Sequence, residues 1–184
     1  MASTPRKSDI ATLINTFTSM SGFQLSNRFA VTINPPLGVS SPIIPIFAST
    51  VQTPSQAIVY EPDNMSPSGP SIMVPVKRSY DDRFIIEFIV DTNWDIRTFF
   101  DDWMDWMFIS SNDDTKNSTR VRYWDQIVGN IVIEALTRND ITAKTLTLYD
   151  AYPKTIIPTQ MSNDTPNQYL TLMVDMNYRY YTLT

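Results

Sequence analysis

Apolar and polar positions alternate along the last part of the chain. In "QYLTLMVDMNYRYYTL", Leu170, Leu172, Val174, Met176, Tyr178 and Tyr180 fall on one face, and Tyr169, Thr171, Met173, Asp175, Asn177 and Arg179 on the other. Successive side chains of an extended backbone point to opposite sides, so this pattern predicts one strand with a core face and an outer face. "RFIIEFIV" (83–90) differs: Phe84, Ile86, Phe88 and Val90 share one side, while Ile85 and Ile89 flank Glu87 on the other. Apolar residues on both sides predict a central strand covered on both faces.

Further strands follow from β-branched content and punctuation. "NRFAVTINPP" alternates Phe29, Val31 and Ile33 against Ala30 and Thr32 and stops at Pro35 and Pro36. "NIVIEALT" (130–137) and "TAKTLTLYDAYP" (142–153) are predicted strands around the turn signal "RNDI" (138–141). Val121–Trp124 is a brief strand candidate after the polar loop 110–120, and 153–167 is a Pro/Asn-rich connection. Residues 34–78 hold most of the prolines and have no helical period. Their short apolar runs, Ile43–Val51, Ala57–Tyr60 and Ile72–Val76, predict short or edge strands around an excursion at about 61–70. A protruding hairpin that pairs with a neighbouring chain fits this segment better than a long structureless loop.

Two segments carry the helical period. After a small polar start (1–8), Ser8 is an N-cap candidate for a short amphipathic helix over about 9–19, with Ile10, Leu13, Ile14 and Phe17 on one side. In "DTNWDIRTFFDDWMDWMF" (91–108), Ile96, Phe99, Phe100, Trp103 and Met107 form one apolar stripe over 94–108. Asn93 is the expected N-cap, and Asp95 falls in the first turn, where the helix dipole favours negative charge. Trp106 and Phe108 leave the stripe and are free to touch a second surface. The expected fold is therefore mainly β: an antiparallel β-sandwich or barrel with a flanking α-helix (about 94–108), an extended inter-subunit hairpin or loop, and a short N-terminal helix. All 184 residues are expected to form one domain.

Composition narrows the chemistry. The chain has no cysteine and no histidine. That removes disulfides, thiol nucleophiles, Cys/His zinc sites and mechanisms built on a histidine base. A net charge of −5 argues against tight binding to phosphate backbones. Met1–Lys7 is polar with no apolar run after it, so no export signal or membrane span is expected.

The remaining candidate chemistry is carboxylate chemistry. Asp101, Asp102 and Asp105 lie mostly off the apolar stripe, as a solvated helix face would place them. Spacing along one helix does not bring two acids together over a pocket, and no glycine-anchored calcium loop is present. Glutamates occur at Glu61, Glu87 and Glu134, with Glu87 on a strand predicted to be buried. No catalytic residue, metal site or cofactor is expected. Lys77, Arg78, Asp81, Asp82 and Arg83 form a mixed-sign cluster, read either as a surface turn with local ion pairs or as an inter-subunit patch. Asp91 and Arg97 are expected to fix the helix start or to pair across subunits.

The order of these elements resembles that of the tail tube proteins of contractile-tailed bacteriophages and related secretion tubes. Asn27–Phe29 match an early "N-x-F" strand start. Within "KRSYDDRFIIEFIVDTNWDIRTFFDDWMDWM", Asp91, Arg97, Phe100 and Trp103 match a strand-to-helix signature. Leu148–Ile156 match a late "L…YPxxI" strand ahead of the terminal alternating one. The proline-rich segments 34–46 and 61–71 depart from the plainest members.

The resemblance implies a non-catalytic virion protein whose six copies close into a ring, with rings stacked into a hollow tube. It implies partners: the chain itself, the tail sheath protein, a tape-measure protein, baseplate and neck proteins, and DNA passing through the lumen without specific binding. It implies assembly in the host cytoplasm. Six copies at −5 each would carry −30 per ring (6 × −5), which disfavours sticking of DNA. The alternatives are a tube initiator or terminator ring, the tube subunit of a contractile secretion system, a carboxylate-based enzyme, or an unrelated β-sandwich binding module.

Overall fold

A computed structural model describes residues 10, 14–15, 18, 23–40, 48–62, 72–80, 83–109, 120–159, 161 and 169–184. The described elements run β1 (Phe29–Asn34), β2 (Ala48–Val51), β3 (Gln56–Pro62), β4 (Met73–Tyr80), β5 (Phe84–Ile89), α1 (Asp95–Trp106), β6 (Phe108–Ile109), β7 (Arg120–Val121), α2 (Trp124–Ile127), β8 (Gly129–Leu136), β9 (Thr142–Ile157), β10 (Thr171–Asn177) and β11 (Tyr180–Leu183). Every strand pairing among them is antiparallel. The mainly β, antiparallel fold expected from the sequence is the fold observed.

β9 organises the two sheets. Its first half pairs with β8 on one side and β11 on the other, over Thr142–Tyr149. Its second half, Tyr152–Ile157, pairs with β10. Between the halves Asp150 has φ 54, a left-handed backbone that turns the strand out of one sheet and into the other. The first sheet therefore contains β1, β8, β9 and β11; the second contains β9, β10, β5 and β2. Val31, Ile131 and Leu148 from the first sheet meet Phe84, Ile86, Phe88, Leu172, Val174 and Met176 from the second in one buried cluster.

α1 adds its stripe to that cluster. Ile96, Phe99, Phe100, Trp103 and Met107 are all buried, and the Phe100 ring lies 5.4 Å from that of Phe88. The buried Trp103 indole N–H donates to the Ile127 carbonyl at 3.0 Å, joining α1 to the short α2. Gly129 begins β8 at this junction. A Cβ there would collide with the Asn34 carbonyl oxygen and crowd the Trp103 ring, so a residue without a side chain is needed.

Several expectations need correction. The last alternating segment is two strands. The ladder leaves β10 at Tyr178–Arg179, where the Arg179 N–H donates to the Tyr149 carbonyl at 3.0 Å, and β11 continues on the other half of β9. Tyr180 is thereby partly exposed, and Tyr181 turns towards Tyr80 and Tyr178. Asp175 lies on the face opposite Val174 and Met176, yet it is buried too. The strand expected to end at Pro153 runs on to Ile157. Pro153 lies opposite Met176, where the β9–β10 register shifts, so its missing N–H falls at an interrupted rung. Trp124, placed at the end of a strand, opens α2 instead, because its indole packs edge-on against Tyr152 at 5.6 Å.

β5 lies between β10 and β2, with Phe84, Ile86 and Phe88 fully buried. Its second face was expected to be covered; Ile85, Glu87 and Ile89 on it are half-buried, while Phe84, Ile86 and Phe88 on the other are fully buried. Of the helix expected over 9–19, Ile10, Ile14, Asn15 and Thr18 are described and helical; the remainder lies outside the described residues. So do 41–47 of the first proline-rich run, 63–70 of the excursion and 110–119 of the polar loop.

Replacing Trp103 by Ala is expected to cost about 3–5 kcal/mol, the scale for emptying a fully buried aromatic site. Urea denaturation of the variant measures it. An unchanged midpoint and slope would show that the helix stripe contributes nothing to the core.

Candidate functional site

The chemistry-bearing residues do not converge. Asp101, Asp102 and Asp105 lie along the outer side of α1, part-exposed or exposed. Asp101 accepts from the Arg97 guanidinium one turn earlier at 2.9 Å. Arg97 thus pairs along its own helix and not with Asp91. Among the described residues no group of acidic side chains has the arrangement a metal ion would need. An open cleft of about 580 Å³ lies between Asn34–Leu37 and α2; Asp125 is the acidic side chain lining it. General acid–base hydrolysis of a glycoside would need a second carboxyl group facing the first.

Asp91 works at the start of α1. Asn93 was the expected N-cap; Trp94 occupies that position with φ 61 and no capping side chain. Asp91 supplies the missing acceptor. One carboxylate oxygen takes the Asn93 N–H at 3.1 Å and the other the Ile96 N–H at 3.5 Å. Partial burial pulls the Asp91 pKa up, but hydrogen bonds from the Asp95, Ile96, Asp91 and Asn93 backbone together hold it below the ordinary carboxylate value. The left-handed Trp94 brings the chain round so that a residue four positions before the helix reaches its free N–H groups.

At the other end of α1, Trp106 leaves the stripe and forms a second contact. Its ring packs against Gly38, which has φ 112 and no room for a Cβ. The Arg122 guanidinium stacks over the indole at 3.9 Å and donates to the Trp106 carbonyl at 2.7 Å. The sequence offered one signal for this clamp, an arginine followed by aromatic residues at 122–124, and no spacing rule connects it to Trp106.

The remaining candidates lie on and beside a separate two-stranded ribbon. β3 and β4 pair with each other and with no other described strand. Lys77 and Arg78 are exposed on β4. Arg83, just before β5, is 3.6 Å from the Asp175 carboxylate. Asp81 and Asp82 lie outside the described residues. The mixed-sign cluster is therefore divided: Arg83 turns to the second sheet, while Lys77 and Arg78 travel with the ribbon. Cross-strand register puts Ile58, Tyr60, Met73, Pro75 and Arg78 on one ribbon face. Ile58, Tyr60 and Met73 on that face are 46%, 53% and 64% exposed. At its base, Tyr80 packs edge-on against Tyr181 at 5.6 Å.

The family model described as phage tail tube protein matches residues 24–184. The chain belongs to the phage tail tube protein family. That range takes in every described strand together with α1 and α2. No curated protein matches it.

Solved structures share the tube protein's fold at low identity. A chain of the anti-feeding prophage (AFP) baseplate, 6-fold symmetrised, aligns at TM-score 0.66 and 17% identity, covering 90% of this chain and 97% of that one. A chain of the PVC sheath-tube complex of an extracellular contractile injection system, in its extended state, aligns at TM-score 0.59 and 11% identity, covering 97% and 99%. A chain of the PVC sheath/tube terminator aligns at TM-score 0.58 and 14% identity, covering 85% and 93%. These likenesses show a shared fold; the family description, phage tail tube protein, gives the role.

Because the folded-state pKa of Asp91 is depressed, its contribution to stability is present above the unfolded carboxylate pKa. It is lost as pH falls through the folded value. Asp91→Asn is expected to flatten the acid side of the stability–pH curve in that window. Thermal unfolding of both proteins across the window reads the difference, and parallel curves would show that Asp91 does not hold the helix start.

Proposed function

We propose that this tube protein forms the inner tube of a contractile phage tail, with six copies closing each ring and rings stacking into a conduit for the genome. The observation that carries this reading is the β3–β4 ribbon. An isolated two-stranded hairpin is marginal in water, and this one exposes aliphatic and aromatic side chains and pairs with no other described strand. A neighbouring copy is the natural cover for such a surface, because a repeating assembly presents the same receptor to every ribbon. The 6-fold symmetry named for the similar AFP baseplate supports a six-membered ring.

In this reading residues 1–184 act as one tube-forming domain, and the chain does no chemistry. The sheath surrounds the tube, a tape-measure protein occupies it during assembly in the host cytoplasm, and baseplate and neck proteins close its ends. A chain of net charge −5 repeated around the ring keeps DNA moving by weakening its attachment. A tube initiator or terminator is the second reading, favoured by the likeness to chains from baseplate and terminator structures as well as from a sheath-tube complex.

Negative-stain electron microscopy of the purified protein over a concentration series tests the proposal. Long hollow tubes are expected; isolated rings at every concentration would favour the initiator or terminator. Deleting 61–70 is expected to abolish tubes while leaving the unfolding transition of the chain in place. Tubes of normal length from that variant would exclude the excursion from assembly.

A further inference from the structure

The β3–β4 ribbon takes its direction from outside its own ladder. β3 and β4 pair with no other described strand, so no shared run of hydrogen bonds fixes their angle to the two sheets. Their first rung, Gln56 with Tyr80, is the base of the ribbon. Four aromatic rings form an unbroken row there. Tyr80 meets Tyr181 edge-on at 5.6 Å, Tyr181 meets Tyr178 at 6.5 Å, and Tyr178 meets Phe84 at 6.3 Å. The Tyr178 hydroxyl also donates to the Ser55 carbonyl at 3.5 Å, one residue before β3.

Burial falls along this row. Phe84 and Tyr178 are buried, whereas Tyr181 and Tyr80 are half-buried. The row thus starts in the common core and ends on the ribbon. Its rings come from different elements: Phe84 from β5, Tyr178 from the link between β10 and β11, Tyr181 from β11 and Tyr80 from β4. Tyr181 lies across from Leu148 on the first half of β9, so of the four rings it is the one that belongs to the first sheet. The corner at Asp150, which lets β11 pair with that half of β9, is what places it there. Edge-to-face rings prefer a restricted mutual geometry, and each tyrosine has only two side-chain torsions to fix. A row of such contacts carries orientation from the core to the ribbon, as a flexible linker does not.

We propose that Tyr181 is the positioning residue of the ribbon: held by β11 between Tyr178 and Tyr80, its ring aims β3 and β4 relative to both sheets. The brace itself is a property of a single chain. Its use rests on the tube-forming reading, in which the angle of the ribbon sets how one copy meets the next and therefore whether the ring closes. A ribbon aimed in advance has less freedom to lose on assembly, so part of the ordering cost is met when the chain folds.

Distance measurement between nitroxide labels on the free chain, and assembly of the same variants, test this together. The chain has no cysteine, so labels at Glu61→Cys on β3 and Lys144→Cys on β9 report the ribbon against the first sheet. One narrow distance peak is expected for the labelled parent and for Tyr181→Phe, which keeps the ring, and a broad distribution for Tyr181→Ala. A tyrosine that only packs would lower the melting temperature and leave the peak width unchanged. Thermal unfolding checks that each variant folds; if Tyr181→Ala does not, Tyr80→Ala removes the other ring of the same contact in its place. Tyr181→Ala is also expected to raise the critical concentration for assembly about tenfold, the scale of one aromatic contact, and to give rings of mixed diameter. A narrow peak in all three chains, or a broad one in all three, would overturn the brace. Broadening confined to Tyr181→Ala, from a parent that forms neither rings nor tubes, would support the brace and overturn the tube reading. The same broadening with assembly unchanged from the parent would keep the tube reading and overturn the part given to the brace in it.

Discussion

The corner at Asp150 is the constraint on which the rest of the structure depends. With φ 54 at that one residue, a sixteen-residue strand belongs to two sheets in turn. One half of β9 holds β8 and β11, and the other half holds β10. The inner faces of the two sheets are thereby brought opposite each other, and the core forms between them. The Arg179 guanidinium lies 3.3 Å from the Asp150 carboxylate at this corner. The charge pair and the left-handed backbone sit together where the chain leaves one sheet for the other. α1 then completes the core with five side chains of its stripe, and Asp91 and Trp103 hold its two ends through backbone atoms.

A core closed in this way leaves its outward surfaces unequal. α1 and both sheets share one core, but β5 presents a half-buried outer face with Glu87 in its middle, and β3 and β4 pair only with each other among the described strands. Neither feature is economical for a solitary chain. The aliphatic and aromatic side chains that the ribbon holds in water raise the free energy of the lone chain. The chain is a member of the phage tail tube protein family.

Much of this was legible in the sequence, for identifiable reasons. The stripe Ile96, Phe99, Phe100, Trp103 and Met107 was readable because a helix's period is a local property, and each residue's neighbours on that face lie within a turn or two. β1, β5, β8 and β10 were readable because alternation is equally local. The ribbon was readable as short strands around a proline-rich excursion, since proline rules out helix over its length. The absence of cysteine and histidine removed thiol, Cys/His zinc and histidine-base chemistry before any geometry was known.

What the sequence left open are the features set by contacts between distant segments. The break after Tyr178 interrupts a faultless alternation, because the β9 corner offers β11 a better partner than the strand's own continuation. Pro153 stays within a strand because the rung it cannot supply coincides with a register shift opposite Met176. Asp91 acts at the helix start in place of Asn93 because Trp94 adopts a left-handed turn that no pattern of apolar residues encodes. The sequence by itself therefore determined which segments are strands and helix, which side of each is apolar, and that catalysis had few residues to use. The tertiary structure decided where strands end, which carboxylates find partners, and which apolar side chains stay exposed. Periodicity records only a residue's relation to its own backbone; pairing, burial and exposure depend on what arrives from elsewhere in the chain.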